Sequence, residues 1–203
     1  MEAAQVSPRP AGPDPIEADL LRKARGGNLF AFEEMVKRYQ RRVYAVARRI
    51  VQRHDVADDV TQEAFLRAYQ ALSSFDLLRP FGPWICRIAA NLAVNHVRSP
   101  EAREQELEEG HAEMPTAAPD PLRDILEAEA RHVLDAAIKT LPADQRAVLV
   151  LRVFEDLSYR EIADALGIEM GTVMSRLARA REKLRIALEP YLGSAGKRAR
   201  VES

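Results

Sequence analysis

Along most of this chain apolar residues return every three or four positions, the spacing that stacks side chains on one face of an α-helix. Phe32, Val36, Tyr39, Val43, Val46 and Ile50 form one such series, Val56, Val60, Phe65 and Tyr69 a second, and Ile85, Ile88, Ala89 and Leu92 a third. Their punctuation is equally helical. Asp14-Pro15 opens a short helix that runs to Arg25, because an aspartate cap accepts from free backbone N–H groups and a proline in the first turn has no N–H to leave unpaired. Gly26-Gly27 stops it, and Asn28 caps the next. A third helix is predicted from His54 to Leu72, and a fourth with Pro83 in its first turn, ending near Arg98. Ser73 to Asp76 and Pro80 to Pro83 bound the loop between these two.

From Ser99 to Asp120 the apolar period is lost and Glu, Ala and Pro accumulate, a composition that cannot repay the entropy of ordering. This stretch is expected to be a flexible linker. Asp120-Pro121 restarts the helical pattern, with Leu122, Leu126, Val133, Ala137 and Leu141 on one face. Helices are predicted at about Pro142 to Glu155, Tyr159 to Leu166 and Met170 to Leu188. No stretch of the first half alternates with the period of a strand. The expected fold is therefore all-α, with two small helical domains. Residues 14–98 make a four-helix domain and 121–192 a second one, joined by the linker 99–120 and flanked by a disordered 1–13 and a mobile basic tail 193–203.

The strongest local signal lies in the second domain. Ser158 and Glu161 have the spacing of a capping box, in which each side chain meets an unpaired backbone donor at a helix start. Gly167 suits the left-handed residue that ends this helix, and Ile168 closes the turn against the core, so another helix starts within three or four residues. That is the spacing of a helix-turn-helix. On the second of its helices Val173, Leu177, Ala180, Leu184 and Leu188 share a face, while Thr172, Arg176, Arg179 and Lys183 form a neighbouring stripe expected to face outward. The arginine forks suit guanine edges and phosphates in a major groove, and Thr172 near the helix start suits a phosphate. A merely solvated helix face is the competing reading of the stripe alone.

Charge sharpens this picture. The formal net charge of −1 hides two opposed segments: Glu101 to Asp120 holds seven acidic residues and one basic, net −6, whereas Met170 to Ser203 holds eight basic and three acidic, net +5. The single cysteine, Cys86, excludes an internal disulfide, and His54, His96, His111 and His132 lack a metal-ligand spacing, so neither a metal nor a cofactor is expected. Met1 to Asp19 has no basic head followed by an apolar core, and no run approaches the roughly twenty apolar residues of a membrane span. A cytoplasmic protein without membrane insertion is expected.

Two further clusters carry possible chemistry. Asp55, Asp58, Asp59, Gln62 and Glu63 crowd the start of the third helix, where carboxylates favour the positive end of the helix dipole. A solvated face, a protein-docking surface and a His54/Asp58 metal pair all compete as explanations. On the fourth helix Arg87, Asn91, Asn95 and Arg98 form one polar stripe, suited to bases or simply to water. Phe81 and Trp84 beside it fit core packing better than base stacking.

Three ordered stretches then resemble a family. Asp58-Asp59-Val60-Thr61-Gln62-Glu63-Ala64-Phe65, Trp84-Ile85-Cys86-Arg87-Ile88-Ala89-Ala90-Asn91 and Gly171-Thr172-Val173-Met174-Ser175-Arg176-Leu177-Ala178-Arg179-Ala180-Arg181 are similar to bacterial sigma factors of the extracytoplasmic-function group. The resemblance spans about Ala18 to Tyr191. It implies a protein that binds core RNA polymerase, directs it to promoters, helps melt the DNA and catalyses nothing itself. It implies that Asp58, Asp59, Gln62 and Glu63 dock on the coiled coil of the largest polymerase subunit. It implies that Arg87, Asn91, Asn95 and Arg98, with the loop from Ser73 to Pro80, capture the minus-ten element. Thr172, Ser175, Arg176, Arg179 and Lys183 match the reader of the minus-thirty-five element. The second domain is implied to sit at the polymerase flap, and the acidic linker to thread toward the RNA exit path. An anti-sigma protein is a further implied partner.

Two positions depart from the family pattern. Met174 stands where many members carry a lysine, and Glu169 stands where a Ser or Pro would start the recognition helix better. A stand-alone helix-turn-helix regulator is the alternative, since the second domain also resembles that of response regulators. A metal-dependent hydrolase built on Asp55, Asp58, Asp59 and Glu63 is a distant third.

Overall fold

The computed structural model describes residues 14–99 and 133–198, with side chains to Tyr191. The expected linker, the leading segment 1–13 and the apolar positions Leu122 and Leu126 lie outside the described residues. Every regular element within them is helical. Pro15–Arg25 (α1), Leu29–Val51 (α2), His54–Ala71 (α3) and Phe81–Arg98 (α4) build the first domain, with a 3-10 turn at Leu72–Ser74. Residues 133–139 (α5), Ala143–Val153 (α6), Tyr159–Leu166 (α7) and Met170–Arg198 (α8) follow in the second.

The starts and stops are set by the residues the pattern marks. Asp14 accepts from the Ile16 N–H at 3.1 Å, and Asn28 from the Ala31 N–H at 3.1 Å. Ser158 Oγ accepts from the Glu161 N–H at 3.3 Å while the Glu161 carboxylate accepts from the Ser158 N–H at 2.9 Å, which completes the capping box. Gly167, at φ 60°, ends α7 in the left-handed region, and Ile168 packs half-buried against the core. The Glu169 carbonyl takes the N–H groups of Thr172 and Val173 at 2.9 and 3.1 Å, so the backbone begins α8 without a favoured capping side chain.

One boundary differs from expectation. Helix α8 continues past Leu188 to Arg198 with Pro190 inside it. Proline there removes the hydrogen bond to the Ile186 carbonyl, yet both residues are exposed, so water can take the orphaned group.

In the first domain α2 packs against α1, α3 and α4, and α3 packs against α4. The contact surfaces are rich in alanine: Ala47, Ala57, Ala64, Ala68, Ala89, Ala90 and Ala93 are almost wholly buried. Small side chains let the helix axes approach closely. Gly82 extends this logic, because a Cβ there would lie 2.8 Å from both the Arg42 guanidinium and the Tyr39 ring. An aromatic cluster closes the domain, with Phe81 fully buried among Tyr39, Phe75 and Trp84. Glu17, only 4% exposed, accepts the Phe81 N–H at 2.9 Å and the Tyr39 hydroxyl. That pairing satisfies a buried carboxylate and pins α1 to the start of α4.

The second domain packs α6 and α7 against α8. Its apolar face is the expected one, Val173, Leu177 and Ala180 being buried and Leu184 half-buried. The sequence pattern does not reveal that the two domains also pack on one another: α2 meets α6, and α4 meets both α6 and α7. Gln52 ends α2 in the left-handed region at φ 67° and its side-chain amide donates to the Lys139 carbonyl at 2.9 Å, across the domain boundary.

Candidate nucleic-acid and protein interfaces

The acidic start of α3 is exposed. Asp58, Asp59 and Gln62 face solvent, and Glu63 is half-buried with its carboxylate 2.7 Å from Arg67. Arg53 donates to Asp55 and holds its carboxyl down at about 2. His54 Nδ1 lies 2.9 Å from Asp58. Among the described residues no three His, Cys, Asp or Glu side chains converge on a common point. Asp55, Asp58 and Glu63 each pair with a different neighbour, Arg53, His54 and Arg67 respectively. Leu66, one turn beyond Gln62, is also exposed and adds an apolar patch to the same helix.

On α4, Asn91 and Asn95 are exposed, as the stripe predicts. Phe81 is fully buried and Trp84 stacks on Phe75 with ring centroids 4.4 Å apart, so the core reading of both holds. A cleft of about 390 Å³ lined by Arg67, Trp84, Arg87, Asn91 and Asp164 opens between α3, α4 and α7. On α8, Arg179 and Lys183 are exposed, Ser175 is exposed with its hydroxyl on the Thr172 carbonyl at 3.0 Å, and Thr172 is half-buried.

The three remaining arginines of the stripes each engage a carboxylate, Arg98 while still exposed and Arg87 and Arg176 half-buried. Arg87 Nη2 lies 2.5 Å from the Glu161 carboxylate. Arg98 donates twice to Asp144 Oδ1, at 2.7 and 3.0 Å, and Arg176 Nη2 lies 3.1 Å from Oδ2 of the same Asp144. Arg87 and Arg176 side chains are each only 20% exposed. Asp144 and Glu161 were invisible as partners in the sequence, since Asp144 is 46 residues from Arg98 and Glu161 is 74 from Arg87. Their only local signals are an acid in a helix's first turn and a capping box.

Behind these pairs the contact is better buried. Glu155, 3% exposed at its side chain, receives Arg42 at 2.8 and 2.9 Å. Cys86 lies beside this pair, and burial first, then the Glu155 charge, pushes its thiol well up. Arg146, 4% exposed, donates to the Ile50 carbonyl at 2.6 and 2.9 Å and to the Leu141 carbonyl at 3.0 Å. The Arg49 guanidinium lies 4.1 Å over the Phe154 ring.

Comparisons with known proteins agree with this architecture. The profile described as Sigma-70 region 2 matches residues 35–103, which carry the acidic α3 and the polar stripe of α4. The profile described as Sigma-70, region 4 matches residues 131–184, which carry the helix-turn-helix. The RNA polymerase sigma-H factor of Pseudomonas aeruginosa is 38% identical over 189 residues, covering 88% of this chain and 97% of that protein. The ECF RNA polymerase sigma-E factor of Escherichia coli K12 is 36% identical over 183 residues, covering 85% and 94%. Among solved structures, CnrH in complex with the cytosolic domain of CnrY is 29% identical with a TM-score of 0.57, covering 86% of this chain and 98% of that one. The sigma factor RpoE of Bartonella quintana, solved with the anti-sigma factor NepR, is 24% identical with a TM-score of 0.60 and shares the fold. With two Sigma-70 regions in order and relatives matched over nearly their whole length, the chain belongs to the extracytoplasmic-function group of sigma-70 factors and is an alternative RNA polymerase sigma factor.

Proposed function

We propose that this chain binds core RNA polymerase through α3, carries it to promoters through α4 and α8, and takes no catalytic part itself. The observation that supports this most is the exposed carboxylate face of α3 on one domain and the exposed Arg179 and Lys183 on the other. One surface is suited to a basic protein partner and the other to a polyanion. Residues 14–98 serve core docking and minus-ten capture, and 121–192 serve minus-thirty-five recognition. No helix among the described residues is long and apolar enough to cross a membrane, and the place of action is the cytoplasm, where the polymerase is. An anti-sigma protein is a fitting regulator, since the sigma factor RpoE of Bartonella quintana, which shares the fold, was solved in complex with the anti-sigma factor NepR.

Run-off transcription from a responsive promoter tests the whole reading. Core polymerase alone initiates non-specifically, and addition of this protein yields one defined transcript. A protein that bound an operator alone would leave the core without promoter specificity.

Asp59→Ala combined with Gln62→Ala is expected to weaken core binding by roughly 1–2 kcal/mol, the range of a few productive interface contacts. Both side chains are exposed, so stability should change by less than about 0.5 kcal/mol per site. Titration of labelled protein with core polymerase measures this, and equal affinity for mutant and wild type removes these residues from the docking face.

Arg176→Ala and Arg179→Ala, tested in the assembled holoenzyme, are each expected to cost about 1–3 kcal/mol of promoter affinity if the guanidinium grips a guanine edge. A base contact also relaxes discrimination at one base pair. A uniform loss with a smaller salt slope would mean phosphate contacts instead.

A further inference from the structure

The outward side of α8 is divided lengthwise. Thr172, Arg176, Arg179 and Lys183 run along one flank. Met174 lies about 140–180° around the helix from each of them at 100° per residue, whereas Met170, Gly171 and Ala178 lie within about 60° of Met174 on its own flank. All four residues of this second strip are exposed, the two methionines at 48% and 44%. Charge returns to the same flank only further along, at Arg181 and Arg185. The first turns of α8 therefore carry a cationic flank and an uncharged, apolar one, with the exposed Ser175 between them.

Single exposed methionines are ordinary on a protein surface. Two of them one turn apart, at the start of a helix whose opening turns meet base edges, are placed where they sort sequences. Methionine and alanine side chains offer no hydrogen-bond donor. A guanine edge pressed against this strip gives up its water and gains no partner, which costs free energy. The C5-methyl of thymine is the apolar group that a base presents in the major groove, and an unbranched thioether adapts its shape to such a group.

We propose that Met174 is a specificity-determining residue, whose side chain packs on the C5-methyl of one thymine in the upstream promoter element while Met170 and Ala178 keep water from the contact. The inference rests on the DNA-facing role given to α8 above. It assigns that flank a base: an A·T pair with its thymine toward Met174. A lysine at this position, the residue many relatives carry, suits the O6 and N7 acceptors of guanine instead.

The holoenzyme and the responsive promoter of the run-off assay provide the test. Synthetic duplexes replace each thymine of the upstream element in turn by deoxyuridine, which deletes one methyl group and keeps the base pair. One position is expected to lose affinity by about fourfold, the worth of one buried methyl-sized group. At that position Met174→Ala should bind the thymine and uracil duplexes alike, and Met174→Lys should prefer guanine to thymine. Met174 is exposed, so both variants should fold with unchanged helical circular dichroism. Ile186→Ala removes another exposed apolar side chain further along the same helix and should keep the wild-type pattern.

An upstream element with no uracil-sensitive position overturns the assignment, and so does a sensitivity that Met174→Ala retains, because the methyl is then read by another group. An equal loss on every duplex in Met174→Ala also overturns it, since Met174 would then touch the polymerase or the DNA backbone. These results leave the DNA-reading role of α8 standing as long as Arg179→Ala lowers affinity for the unmodified promoter. If Arg179→Ala and Met174→Ala both bind that promoter as wild type does, the role of α8 fails together with that of Met174.

Discussion

Phe81→Ala lowers the stability of the first domain by about 3–5 kcal/mol, the range for removing a buried aromatic ring. Phe81 is fully buried, with ring centroids of Tyr39, Trp84 and Phe75 at 5.4, 5.4 and 5.9 Å. The neighbours cannot collapse into the space easily, because each is tied elsewhere. Tyr39 is hydrogen-bonded to Glu17, and Phe75 is held from behind, its carbonyl accepting from Arg25. The backbone of Phe81 bonds Glu17 as well, so disorder at this ring frees a buried carboxylate from one of its two partners. Chemical denaturation followed by helical signal reads the change as a lower midpoint at unchanged slope. Phe81→Leu fills most of the volume and should cost clearly less. A loss under about 1 kcal/mol for Phe81→Ala would mean that the cluster repacks, contrary to the fixed positions of its members.

The residues that the sequence makes legible are those whose effect is local. Asp14, Asn28, Ser158, Glu161 and Gly167 act within four residues of themselves, so a pattern in the chain is enough to assign them. Core faces follow for the same reason, since periodicity alone turns Val43, Val46, Ile50, Val173 and Leu177 inward. Two kinds of information are not periodic. One is how closely helices approach: it depends on the alanines of α2, α3 and α4 and on Gly82, whose significance appears only when the facing side chains are known. The other is which charges meet across the domain boundary. Arg42, Arg87 and Arg98 look in the sequence like solvated or DNA-facing groups, and their carboxylate partners are contributed from the other domain by remote helix starts and a turn. Exposure and charge pattern therefore identify the stripes as polar and do not reveal which carboxylates their arginines meet.

Arg146 shows the same limit from inside the protein, and its replacement is the second large effect. Nothing in the amphipathic pattern of α6 marks this arginine as buried, yet it is 4% exposed and its guanidinium answers carbonyls of both domains. Leu141 and Lys139 supply two of these carbonyls from the end of α5 and the turn after it. Ile50, near the end of α2, supplies the third, one of the unpaired acceptors that every helix terminus must satisfy. Arg146→Met keeps the aliphatic volume and removes every donor. An acceptor left buried and unpaired costs about 1–3 kcal/mol, and the loss here is expected at roughly 3 kcal/mol in all. The Ile50 share is limited by an escape route: when docking becomes too costly the domains part, and water reaches that carbonyl. Two changes should accompany each other for that reason. Thermal unfolding should begin earlier, with the second domain losing hydrogen-exchange protection around 133–141, and amides at the end of α2 should exchange faster at temperatures where helix content is still intact. Arg146→Lys retains the charge and one donor group but cannot fork across three carbonyls, so it should recover only part of the stability. If Arg146→Met unfolds at the wild-type temperature with unchanged protection at both places, the guanidinium holds neither the turn after α5 nor the domain boundary, and the packing of α2 on α6 must come from its apolar contacts alone.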